Sequence, residues 1–89
     1  MEKDPALYRE ELESVVKQLS ANNIIAKIKG EGISQFVYAK CDDRTVELSQ
    51  DKDGIWVEFW LGDSENPKNA MTISSYHEAL KEVLSWLMM

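Results

Sequence analysis

The residues best suited to recognition lie in one stretch, Ile55-Trp56-Val57-Glu58-Phe59-Trp60-Leu61. Side chains alternate across an extended strand. Ile55, Val57, Phe59 and Leu61 therefore share one face, and Trp56, Glu58 and Trp60 share the other. The aliphatic set suits a core. Two indoles flanking a carboxylate are then left on the opposite, open side. Tryptophan offers a large rigid area and one N–H donor, which is why it recurs at binding hot spots. The competing reading is cross-strand packing, with the indoles lying over lysine stems or over aromatics of a neighbouring strand.

Carboxylates are the second resource. The chain carries 16 acidic and 10 basic residues, a net charge of −6. Residues 42–65 hold eight of the acids (Asp42, Asp43, Glu47, Asp51, Asp53, Glu58, Asp63, Glu65) against Arg44 and Lys52, so the whole imbalance sits there. One reading is solvated turn residues, since Asp favours turns. The other is an acidic surface that steers a basic partner. A nucleic-acid binder is not expected, because phosphate contacts need clustered Lys and Arg.

Catalytic and metal-binding patterns are poor. His77 is the single histidine and Cys41 the single cysteine, so no zinc framework and no internal disulfide can be drawn. Cys41 beside Asp42 and Asp43 reads as a small inert residue, and a carboxylate pair such as Asp42 with Asp63 has no nucleophile or oxyanion donor to work with. Gly30-Glu31-Gly32 lacks the lysine and helix of a phosphate loop. Asp51-Lys52-Asp53-Gly54 resembles part of a calcium loop without its later ligands. We expect no enzyme, no metal and no cofactor.

These residues need elements to position them. A chain of 89 residues is one domain, 1–89, with a small core. The pattern Asp4-Pro5 opens a helix, with Asp4 as cap and Pro5 at the first helical position. Tyr8, Leu12, Val15, Val16 and Leu19 give that helix one apolar stripe, and Asn22-Asn23 end it. Strands are expected at Ile24–Lys29, Gln35–Cys41, Arg44–Ser49 and Ile55–Leu61, with a short fifth at Ala70–Ile73. Turns fall at Gly30-Glu31-Gly32, Asp42-Asp43 and Asp51-Lys52-Asp53-Gly54, and a polar loop at Gly62–Asn69. Ser75-x-x-Glu78 caps a last helix with the stripe Ala79, Leu80, Val83, Leu84 and Leu87. Trp86, beside that stripe, reads as a lid on the core, and Met88 and Met89 as frayed.

The order α-β-β-β-β-(β)-α implies a two-layer α+β fold, an antiparallel meander of four or five strands flanked in sequence by an N-terminal and a C-terminal helix. Both helices are expected on one sheet face. The loops after strands two and four then share a sheet end, which gathers Asp42, Asp43, Asp63 and Glu65, with Asp51 and Asp53 at the other. No apolar run approaches a membrane span, and Met1 to Pro5 lacks the apolar centre of a signal peptide. With the unpaired cysteine this fits a cytoplasmic chain, monomeric or homodimeric.

The stretch from Gly54 to Trp60, the acidic loop after it, then Ser75-Tyr76-His77-Glu78-Ala79-Leu80 and Trp86-Leu87 resemble small bacterial immunity proteins of polymorphic toxin systems. The resemblance covers about the C-terminal 40 residues. It implies a cytoplasmic α+β protein that neutralises a toxin, often a nuclease, by covering a basic active site with acidic residues. The expected contact set is Trp56, Glu58 and Trp60, with the two tryptophans as anchors, and Asp42, Asp43, Asp63 and Glu65 setting the association rate. Secretion-type chaperones and phage-type inhibitors or DNA mimics share this size and charge.

Overall fold

The computed structural model describes residues 5–89. The elements run α1 (Pro5–Ala21), β1 (Ile25–Lys29), a 3-10 turn (Gly32–Ser34), β2 (Phe36–Cys41), β3 (Arg44–Asp51), β4 (Gly54–Leu61), β5 (Asn69–Ile73) and α2 (Tyr76–Leu87). The expected cap Asp4 lies outside the described residues. The five strands form one antiparallel sheet in sequence order, as expected for a meander.

Each helix folds because its apolar stripe finds the same sheet face. Tyr8, Leu12, Val15 and Leu19 of α1 and Ala79, Leu80, Val83 and Leu87 of α2 are buried in one cluster with the inward side chains of the sheet. Those strand residues are Val37 and Ala39, Val46 and Leu48, Ile55, Val57 and Phe59, and Ile73. Both helices therefore cover one face and leave the other open. Trp86 caps this cluster at its edge, with its ring edge-on to Phe59 at 5.8 Å and the Arg44 guanidinium 4.6 Å from its centroid.

Helix ends follow from local chemistry. Asn23 takes φ 63°, a conformation Asn tolerates, and ends α1. The Ile24 N–H donates to the Leu19 carbonyl at 3.1 Å and the Asn23 N–H to that of Ser20 at 3.0 Å, the paired bonds of a Schellman end. Ser75 Oγ accepts from the Glu78 N–H at 3.3 Å and caps α2.

Strands β1, β2, β4 and β5 each begin one residue from the expected position, and two larger differences stand out. Strand β3 runs on to Asp51, because the hairpin closes tightly on Lys52-Asp53 and Asp51 pairs with Gly54. The connection expected as a Gly30-Glu31-Gly32 turn continues as the 3-10 turn Gly32–Ser34. It is braced from α1. The Tyr8 hydroxyl donates to the Gln35 carbonyl at 2.7 Å, Arg9 Nη1 donates to Gln35 Oε1 at 2.7 Å, and Gln35 Nε2 donates to the Gly32 carbonyl at 2.8 Å. Gln35 is buried, so these bonds satisfy a polar group that burial would otherwise penalise.

Candidate binding face

Register fixes what stands on the open face. Side chains of directly paired residues point the same way. Tyr38 pairs with Lys27 on one side and Glu47 on the other, and Glu47 pairs with Glu58. One row across the sheet therefore reads Lys27, Tyr38, Glu47, Glu58, Ala70. A second row reads Ile25, Lys40, Thr45, Trp60. Beyond the first row on its other side, Lys29 pairs with Phe36, and Trp56 stands between Ser49 and Thr72.

Trp56, Glu58 and Trp60 thus share the uncovered face, and all three are half-buried among their neighbours. The two indoles are not equivalent. Trp56 Nε1 donates to Glu58 Oε2 at 2.9 Å, so this ring orients the carboxylate beside it. Trp60 Nε1 is buried and has no acceptor among the described residues.

Glu47 stands on the same face, although the contact set expected from the sequence does not include it. It stands directly opposite Glu58, a like-charge pair of the kind that weakens a sheet. Burial raises the Glu47 carboxyl above its ordinary range, and the Glu58 charge adds to this, while the Lys29 ammonium lowers it. Lys29 does not close an ion pair with it. Its Nζ lies 4.0 Å from the centroid of Tyr38, with that of Lys27 at 5.8 Å, so both lysines rest on the ring. The face is therefore bipolar. Lysines stand on β1 and β2, glutamates on β3 and β4, and aromatics between and beside them.

A shallow cavity of about 230 Å³ opens on this face between the 3-10 turn and strand β4. Its walls include Phe36, Trp56, Glu47, Glu58 and Ser49, with Ile33 at the rim. Ile33 is 77% exposed on the turn that Gln35 braces. Typical small-molecule sites occupy about 300–1,000 Å³ and enclose their ligand, so this cavity has room for a side chain rather than a metabolite.

The loop carboxylates lie at the end nearer Trp60. The Gly62 N–H donates to the Asp43 carbonyl at 2.7 Å, which ties the loop after β4 to the turn after β2. Asp42, Asp43, Asp63 and Glu65 are all exposed on these two connections. Asp51 and Asp53 stand at the opposite end, on either side of Lys52. His77 is exposed on the first turn of α2, and Cys41 packs half-buried against the core. Among the described residues, no three His, Cys, Asp or Glu side chains are grouped as a metal site, and no helix is long and apolar enough to cross a membrane.

The chain matches no family model, no curated protein sequence and no solved structure.

Proposed function

We propose that this protein is a small acidic protein-binding module, acting as a stoichiometric inhibitor of immunity type in the cytoplasm rather than as an enzyme. The observation that carries the reading is the uncovered sheet face, where Trp56, Trp60, Phe36 and Tyr38 stand with Glu47 and Glu58 while both helices pack on the other side. A fold of this size has little core to spare, and four aromatic rings on the solvent side are a large investment in a surface. The rings supply contact area, and the acidic end formed by Asp42, Asp43, Asp63 and Glu65 supplies attraction for a basic partner such as a nuclease. The carboxylates are split between the two sheet ends, which suits this reading better than a continuous phosphate mimic.

The test is capture of the partner with wild-type protein, followed by affinity measurement on the purified pair. Trp60→Ala should weaken the complex by about 2 kcal/mol or more, roughly 30-fold in Kd. The wild-type module should inhibit the partner's activity at one-to-one stoichiometry. Unchanged affinity in both Trp56→Ala and Trp60→Ala variants, each shown to be folded, would sink the reading. A constitutive dimer that holds an unfolded segment of its partner would favour the secretion-type chaperone instead.

A further inference from the structure

We propose that the cavity beside Trp56 receives one arginine side chain of a protein partner, with its guanidinium between Glu47 and Glu58 and its stem under the Ile33 rim. This rests on the reading of the open sheet face as a docking surface and names the chemistry of its central contact.

Shape comes first. The cavity holds about 230 Å³, too little for an enclosed metabolite and enough for one long side chain. Its walls are mixed in the way an arginine is. Phe36 and Trp56 offer aromatic surface to a flat cation, and Ile33 offers apolar surface to the methylene stem.

Charge complementarity then selects the head group. Glu47 and Glu58 are direct partners on adjacent strands, so their carboxylates enter the cavity from neighbouring positions. Trp56 Nε1 holds one oxygen of Glu58 at 2.9 Å and leaves the other oxygen available. Neither carboxylate forms an ion pair with a described residue, since Lys27 and Lys29 rest on Tyr38. Two half-buried like charges set face to face are unfavourable until a cation joins them. A guanidinium carries donors on a rigid plane and can reach acceptors on two sides while stacking on an indole. An ammonium is a compact, strongly hydrated point charge that cannot do both. Lys29, paired with the cavity wall residue Phe36, borders the cavity and disfavours a broadly basic surface lying flat there. A single projecting arginine avoids that lysine.

The experiment uses the full chain, labelled with ¹⁵N, and Nα-acetyl-arginine amide as the probe. Nα-acetyl-lysine amide and sodium chloride at equal ionic strength are the controls. The arginine probe should move the Trp56 indole N–H signal along a saturating curve, with the lysine analogue at least about fivefold weaker. Glu47→Gln should weaken the arginine probe about tenfold while the spectrum stays dispersed, which reports that the variant is folded. Glu58→Gln should do the same and also shift the free Trp56 signal, because it alters that indole's acceptor. Equal response to the two amides, or a non-saturating response centred on the Asp42 and Asp63 loops, would overturn the proposal. So would an unchanged titration in Glu47→Gln. The captured partner separates this from the parent reading. If Trp60→Ala weakens that complex and Glu47→Gln does not, the docking face stands and the arginine pocket falls.

Discussion

Glu47 is the residue at which stability opposes the recognition role proposed for it. Its carboxyl sits half-buried across from Glu58, and burial with that neighbouring charge raises its pKa above the ordinary value of 4.5. A carboxyl whose pKa is higher in the folded state binds more protons there than in the unfolded chain. Stability therefore falls as pH rises from 4.5 through the raised folded value, and the cost persists at neutral pH. Glu47→Gln removes that cost and the repulsion across the strands together. We expect it to stabilise the protein at pH 7 by about 0.2–1 kcal/mol, the range of a single cross-strand pair. Urea unfolding at pH 7 and at pH 4 checks this, with the gain shrinking toward zero at the lower pH. A destabilised variant at pH 7 would show that Glu47 supports the sheet. Tyr76 is a parallel case on α2. Burial is the main cause that raises its hydroxyl pKa, with the charge of Glu11 adding to it, and the buried hydroxyl has no hydrogen-bond acceptor among the described residues. Tyr76→Phe removes an unsatisfied polar group while keeping the ring. It should leave stability unchanged or raise it by about 1 kcal/mol in thermal unfolding.

At the scale of elements, the turn between β1 and β2 carries the cavity rim, and Gly30 sets its path. Gly30 has φ +84°, and a Cβ there would stand 2.5 Å from the Ser34 carbonyl oxygen. That oxygen belongs to the backbone of the 3-10 turn, so Gly30→Ala must push the turn outward. We expect a destabilisation of about 1–3 kcal/mol together with a displaced Ile33, read as chemical-shift changes at Ile33 and at the Trp56 indole. Gly32 at φ +57° has open space around its Cβ position, so Gly32→Ala carries backbone strain without the clash and should perturb Trp56 less. This connection also marks where the sequence stopped being legible. The alternation along residues 55–61 was enough to place Trp56, Glu58 and Trp60 on one face, and helical spacing was enough for the stripes of α1 and α2. The two-residue turn at Lys52-Asp53 fixes the register of β3 against β4, so the pairing of Glu47 with Glu58 follows by counting back from it. Alternation within one strand does not show that across-strand neighbour; only the register does. The 3-10 turn gave no comparable signal. Its path depends on Tyr8 and Arg9 of α1 reaching Gln35 some 26–27 residues away, and no local pattern encodes such a contact.

Over the whole molecule, the aromatic face and the exposed loop carboxylates occupy different places. The rings and Glu47 and Glu58 stand on the sheet face, whereas Asp42, Asp43, Asp63 and Glu65 stand exposed on the loops at the Trp60 end. Exposed charges act over the Debye length, about 10 Å at 0.1 M salt and 3 Å at 1 M, so under the proposed function their pull on a basic partner belongs to the approach rather than to the bound state. A half-buried ring acts only once water has left the interface, so it belongs to the lifetime of the complex. The two groups should therefore separate kinetically. Replacing Asp42, Asp43 and Asp63 together by Asn is a fair probe, because Asp42 has φ 56° and Asn accepts that conformation as readily as Asp does. Stopped-flow measurement with the captured partner should show association slowed about tenfold at low salt, with dissociation nearly unchanged. The wild-type association rate should itself fall with rising ionic strength toward that of the triple variant. Trp60→Ala should show the converse, a faster dissociation at any salt with little change in association. If the triple variant instead changes dissociation while association ignores salt, the loop acids make direct contacts, and the docking surface extends around the sheet end that holds Asp43 and Gly62 together.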